Sequence, residues 1–276
     1  VRGKRIIRNP RKTRAVLSLS DRARQTVHIS RVLMRDLLGR KYEPEVPFMD
    51  RFLTPDMLCI HVGASDGRHA LYLSRRVPQG VIHCIEASPY TLGVLKRIMG
   101  LKGVKNLRLH NFAIGPADGE IYLVTPVKSS GHKGRAFAFV SREPQEGPLE
   151  GWGSHFAGFE NQKLPQRSLD SFCAEHGLAG VGFLRCDIEG AEILLLDGGV
   201  ETIERDRPVV MMEVHPLFLE ERFGRSAEEV RDWFASRNYR IFYLKDGALT
   251  ETDHFLDELW RDYFCVPAER SAQYGL

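Results

Sequence analysis

No apolar run in this sequence approaches the length of a bilayer-crossing helix, so no membrane-spanning helix is expected. No apolar segment of secretory type follows the basic residues near Val1, and no export signal is expected either. Cysteine is sparse: Cys59, Cys84, Cys173, Cys186 and Cys265 are odd in number, scattered, and without a Cys-x-x-Cys pair. That pattern argues against a disulfide framework and makes a zinc site a poor reading. Such residues in apolar segments act as small buried hydrophobes of a reducing compartment, and a cytoplasmic enzyme is the expectation. Acid is nearly missing from residues 1–41, where only Asp21 and Asp36 stand among a crowd of Lys and Arg. The net charge of +3 therefore conceals a basic arm on an acidic remainder. A basic arm suits nucleic acid or an anionic membrane surface. No aromatic residues interleave its arginines as a single-strand platform requires, so nucleic acid is not the expected partner. A solvated leader and one helix packed on the domain are expected, with peripheral membrane contact as the alternative role.

The Gly-x-Gly-x-x-Gly fingerprint of dinucleotide sites is also missing. In its place, Met57–Val62 is a short strand-like run and Arg68 onward has helical spacing, with Gly63-Ala-Ser-Asp-Gly67 between them. Glycine lets the backbone take unusual dihedrals and approach a ligand closely. The helix that follows aims its unpaired N–H groups at the turn. Ser65 occupies the place where a pyrophosphate would need glycine, so a nucleoside ligand without phosphates fits better: S-adenosylmethionine. The next strand, Val81–Ile85, ends in Glu86, which is placed to accept both ribose hydroxyls.

At 276 residues the chain can hold one substantial α/β domain with an appendage. Residues 1–45 read as the basic arm and a helix from Ser20-Asp21 to Gly39; residues 46–276 read as the catalytic domain. Strands alternate with helices, which argues for a mostly parallel sheet covered on both faces. A helix from Pro89 to about Gly100, a strand 107–114 and a strand 120–125 follow Glu86. Residues 126–166 then turn glycine- and proline-rich, apart from a strand-like 136–141, and read as a substrate-facing insertion. The alternation resumes with a helix capped by Ser168, buried strands 181–188 and 208–215, and a helix from Ala227 to Ser236. Strands 239–244 and 262–266 close the chain, separated by a Lys245-Asp-Gly247 turn and a short helix around Phe255–Trp260.

Ligands of open α/β sheets lie at the carboxyl ends of the strands. The candidate cofactor-binding residues there are His61, Gly63, Ala64, Ser65, Asp66, Gly67, Glu86, Ala87, Ser88, Asn111, Ala113 and Asp187. Asp187-Ile-Glu189-Gly-Ala-Glu192 is the most informative stretch, because a buried strand rarely ends in so many carboxylates without a use. Asp187 can hold the methionine amino group, orient a hydroxyl, or bind a divalent cation with Glu213. Glu189, Glu213 and His155 are candidate substrate contacts, while Glu192 reads as a residue complementing a helix dipole. Methyl transfer to a hydroxyl also needs a proton acceptor. His215 is the first candidate, Asp187 its rival, and His132 and His155 are outside candidates.

Taken in order, Val62-Gly-Ala-Ser-Asp-Gly67, Ile85-Glu-Ala-Ser-Pro89, Asn111-Phe-Ala-Ile-Gly115, Ser168-Leu-Asp170, Arg185-Cys-Asp-Ile-Glu-Gly-Ala-Glu192 and Arg207-Pro208 before Glu213 resemble the FkbM family of methyltransferases. The likeness covers roughly residues 55–215. It implies a class I methyltransferase (Rossmann-like) fold with a seven-stranded, mostly parallel sheet, and S-adenosylmethionine as donor with S-adenosylhomocysteine as product. It also implies O-methylation of a sugar, polyketide or related small or glycan hydroxyl. Ser65 stands where the family has Asn, and Arg185 where it has Lys, which differs from Arg in geometry. The competing readings are a non-catalytic methyltransferase-like module, an RNA ribose methyltransferase using the arm, and a nicotinamide oxidoreductase, the last disfavoured by Ser65.

Overall fold

The computed structural model describes residues 19–38, 42–147, 156–256 and 259–276. The expected leader therefore lies outside the described residues, as does His155. The chain opens with α1 (Leu19–Leu37), followed after a 3-10 turn by β1 (Leu58–Val62), α2 (Arg68–Arg76), β2 (Val81–Ile85), α3 (Pro89–Leu101) and β3 (Leu107–His110). Next come β4 (Ala113–Ile114), β5 (Gly119–Lys128), β6 (Phe139–Ser141), β7 (Phe156–Arg167) and α4 (Leu169–His176). Then follow β8 (Val181–Cys186), α5 (Glu192–Asp197), α6 (Val200–Asp206), β9 (Val209–Val214), α7 (Pro216–Phe223) and α8 (Ala227–Ala235). The chain closes with β10 (Tyr239–Lys245), β11 (Ala248–Thr252), β12 (Arg261–Pro267) and α9 (Ala268–Ser271).

Among the described residues the main sheet has eight strands in the order β11-β10-β12-β9-β8-β1-β2-β3. Strands β3, β2, β1, β8 and β9 run parallel. Strand β12 is antiparallel to both β9 and β10, and β11 is antiparallel to β10. The expectation of seven strands needs correction: the sheet is mixed, with β11 as an added edge. Asp246 and Gly247 have φ of 50° and 79°, the left-handed pair of a two-residue hairpin, so the chain turns straight back into β11. The short helix expected around Phe255–Trp260 is not formed at residues 253–256 or 259–260.

Side chains alternate across the strands and feed two cores. Cys59, Phe183, Met211 and Phe264 pack beneath α1, α2 and α3. Ile60, Leu184, Val210 and Cys265 pack beneath α4 to α8. The helix α1 joins the first core through Ile29, Val32 and Leu33, and Gln25 Nε2 donates to the Tyr90 carbonyl at 2.8 Å.

The insertion is more regular than its composition suggests. Strands β4, β7, β5 and β6 make a second sheet, in which β5 and β7 pair antiparallel over nearly their whole length. Pro126 lies opposite Phe159, and Pro165 opposite Glu120. Proline removes a ladder donor and argues against a strand, which is why the sequence reads here as irregular. Pro216 likewise reads as a turn; it is instead the first residue of α7, where a missing N–H costs nothing.

Gly63 follows β1 at φ 76°, and a Cβ there would lie 1.7 Å from the Asp187 carbonyl oxygen. The ends of β1 and β8 approach closely only because this residue has no side chain. Gly63→Ala is therefore expected to destabilise the chain by at least ~2 kcal/mol in urea unfolding. Unchanged stability would show that the two strand ends do not meet as described.

Candidate active site

The glycine loop is held by the strand beside it. The Gly63 and Ala64 N–H groups both donate to the Ile85 carbonyl, at 3.0 and 3.2 Å. Ser65 takes a left-handed φ of 48° and turns its N–H onto Glu86 Oε2 at 2.8 Å. The other oxygen, Oε1, accepts from the Ser88 N–H at 2.7 Å. Asn111 Nδ2 then donates to the carbonyls of Glu86 and Ala87, at 2.8 and 2.9 Å. Glu86 thus clamps the loops after β1 and β2 together. Burial pushes its carboxyl up to about 7; the two N–H bonds oppose that rise, while Asp187 and Asp66 add to it.

A cleft of about 830 Å³, counting its open mouth, begins at this clamp. Of the candidate residues, Gly63, Ser65, Glu86, Ala87, Ser88, Ala113, Asp187 and Glu189 line it. Ile85, Phe112, Ile114 and Leu123 give it an apolar wall, and Arg135 from the turn between β5 and β6, with Phe139 and Val140 of β6, also lines it. The remaining candidates lie elsewhere. Asp66 turns toward α1, 3.6 Å from His28 Nε2, and lines a separate cleft with Gly67. Strand alternation sends His61 to the face beneath α2, where it is 1% exposed and 6.1 Å from the His69 ring.

Behind Asp187 lies an acidic centre built across the strand ends. Arg185 is 1% exposed and faces Asp262 at 2.8 Å, Asp187 at 3.4 Å and Glu213 at 3.6 Å. Burial raises Asp187 and Glu213, each to about 7, against the pull of Arg185. His215 follows β9, with Nε2 3.4 Å from Glu213 and 3.9 Å from Glu189. Its ring stacks on Phe218 at 5.3 Å, burial lowers its pKa, and it is not among the residues lining the cleft. Asp187, unlike His215, lines the cleft.

Glu189 sits at φ 56° and Gly190 at 97°, a strained pair at the cleft rim. Arg222 donates to the Glu189 carbonyl and lies between the rings of Phe139 (3.9 Å) and Phe218 (3.8 Å), tying α7 to the second sheet. Glu192 folds back so that Oε1 accepts from the Gly190 N–H at 2.9 Å, which makes it a buried strut of the turn.

Asp262, Arg135 and Arg222 belong to the site and escape the sequence reading. Asp262 had a signal, a carboxylate opening the buried run Tyr263–Val266. Arg135 and Arg222 had none, because their partners Asp21 and Glu189 are distant in sequence.

Parallel strands with a reversed β12, a glycine loop after β1 and an acid after β2 define the class I methyltransferase type of Rossmann-like fold. Residues 61–241 match the methyltransferase FkbM domain model, and the chain belongs to that family. The 2-O-methyltransferase NoeI of Sinorhizobium fredii is 26% identical over 153 residues, which is 55% of this chain and 61% of that protein. The solved methyltransferase FkbM from Methylobacillus flagellatus is 14% identical, covering 80% of this chain and 50% of that one, at a TM-score of 0.46. A SAM-dependent methyltransferase from Aquifex aeolicus is 13% identical, covering 82% and 90% of the two chains, at a TM-score of 0.41. The family implies S-adenosylmethionine as methyl donor. Among the described residues no helix is long and apolar enough to cross a membrane.

Burial pushes Glu192 up from 4.5 to about 8, and among the described residues its Oε2 has no hydrogen-bond partner. A carboxyl raised in the folded state stabilises it fully below about 4.5, and that contribution is lost as pH climbs through about 8. Glu192→Gln keeps the acceptor oxygen and cannot ionise. Its melting temperature relative to the parent chain is expected to rise between pH 5 and pH 8. A difference that does not change with pH would mean that Glu192 does not titrate in this range.

Proposed function

We propose that this chain is an S-adenosylmethionine-dependent O-methyltransferase acting on a hydroxyl of a sugar, polyketide or related small or glycan acceptor. One observation carries the reading: a single cleft is lined both by Gly63, Ser65 and Glu86 and by Asp187 and Glu189. Its residues fit the cofactor. Gly63 lets the loop after β1 lie directly against the Asp187 carbonyl, Glu86 has lone pairs beyond those taken by Ser65 and Ser88, and the apolar wall suits a purine. When bound, the cofactor supplies a methyl group on sulfonium, whose C–S bond breaks as a C–O bond forms.

The protein's part is alignment and proton removal. Glu86 holds the ribose hydroxyls, and Ile85, Ala87 and Phe112 border the base. Asp187, poised at about 7, takes the proton that leaves the acceptor hydroxyl. Glu189 and the wall of Arg135, Phe139 and Val140 border the acceptor. The likeness to a 2-O-methyltransferase supports oxygen as the acceptor atom.

Calorimetric titration is expected to give micromolar affinity for S-adenosylmethionine and S-adenosylhomocysteine, about −8 kcal/mol, and no binding of NAD. The reverse preference would refute the cofactor assignment. Asp187→Asn is expected to lower turnover on a hydroxyl acceptor at least ~100-fold, while circular dichroism and cofactor affinity change little. Full turnover in that variant would remove Asp187 from the chemistry.

A further inference from the structure

We propose that Asp187, Glu213 and His215 form a binding site for one divalent cation beside the cleft, which Asp187 lines. One donor atom from each residue lies within 4.8 Å of the other two. Ligands about an ion at ~2.1 Å stand up to ~4.2 Å apart, so a closure of a few tenths of an ångström completes the set. The three residues come from the ends of the adjacent strands β8 and β9, which fixes their backbones side by side.

The acidic pair alone would not make a site; His215 points to the ligand. It is 4% exposed, and among the described residues neither ring nitrogen has a hydrogen-bond partner. Leaving a buried imidazole unpaired is costly, and the stack on Phe218 holds its Nε2 toward Glu213 Oε1. Arg185 occupies the far side of the pair, facing Asp187 Oδ2 and Glu213 Oε2. That guanidinium acts as an outer partner orienting the carboxylates, a common arrangement around metal ligands. Charge points the same way: Asp187, Glu213 and Asp262 share Arg185, and Glu189 stands 3.9 Å from His215. Two carboxylates and one imidazole make a hard-to-borderline set that suits Mn²⁺, with Mg²⁺ and Zn²⁺ as competitors. The ion's remaining positions are left to water and to an acceptor oxygen.

This inference deepens the methyltransferase reading and rests on it for the use of the ion. A cation there acidifies a hydroxyl that reaches it, easing the proton transfer assigned to Asp187.

The test is Mn²⁺ titration of the tag-free, chelator-treated full chain by electron paramagnetic resonance. One bound Mn²⁺ per chain is expected, with ¹⁴N modulation from His215 in the spin-echo spectrum of the unmutated protein. His215→Gln and Glu213→Gln are each expected to weaken binding at least tenfold, while His132→Ala does not. Absence of Mn²⁺, Mg²⁺ and Zn²⁺ binding, or bound Mn²⁺ without ¹⁴N coupling, overturns the site even if both variants fail to fold. S-adenosylhomocysteine calorimetry on the same sample separates the two ideas. Cofactor binding without metal sinks the cation site alone, and metal binding without cofactor sinks the methyltransferase reading alone.

Discussion

The arrangement of this molecule turns on one buried guanidinium. Arg185 sits near the end of β8, with β1 on one side and β9 on the other, and faces three carboxylates from β9, β12 and its own strand end. Burying such a group is expensive, and an apolar replacement of similar volume is often no less stable. Its use here is positional. It brings Asp187 and Glu213 together at the cleft while keeping them short of full mutual repulsion. The closing strand β12 belongs to the same arrangement, since Asp262 pairs with Glu213 in register and takes the closest contact to Arg185. The reversed strand therefore completes the polar centre as well as the sheet.

A second clamp works by the opposite means. Glu86 receives no guanidinium; two backbone N–H groups hold its oxygens, and burial keeps its pKa high. The loops after β1 and β2 are thus fixed by a carboxylate that still faces the cleft. Gly63 lets the loop lie against Asp187, so the two clamps share a wall. The ends of β1 and β8 are coupled by this contact, because moving one strand end moves the other.

Much of this was legible in the sequence, for a physical reason. Strand ends in a parallel sheet are marked by short apolar runs followed by glycine or carboxylate, and Val62-Gly63, Ile85-Glu86 and Cys186-Asp187 carry that mark. The second sheet was not legible, since Pro126 and Pro165 speak against the strands they occupy. His61 was assigned by nearness in sequence to Gly63, whereas a period of two sends it to the other face. His215 was legible as a polar residue after a strand but not as a buried one, because its cover, Phe218, comes from a helix that a proline concealed.

The N-terminal helix gains a role that its basic composition hides. Asp21 pairs with Arg135 at 2.6 Å, and the same guanidinium lies 3.6 Å over the Tyr90 ring on α3. Arg135 lines the cleft from the second sheet. One of the few acids in the basic segment thus holds a cleft-lining arginine, with α3 supplying the aromatic face beneath it. A cation held by both a carboxylate and a ring keeps its geometry better than a solvated one. The helix α1, the insertion and α3 meet at this residue, and α1 is joined through it to the wall of the cleft.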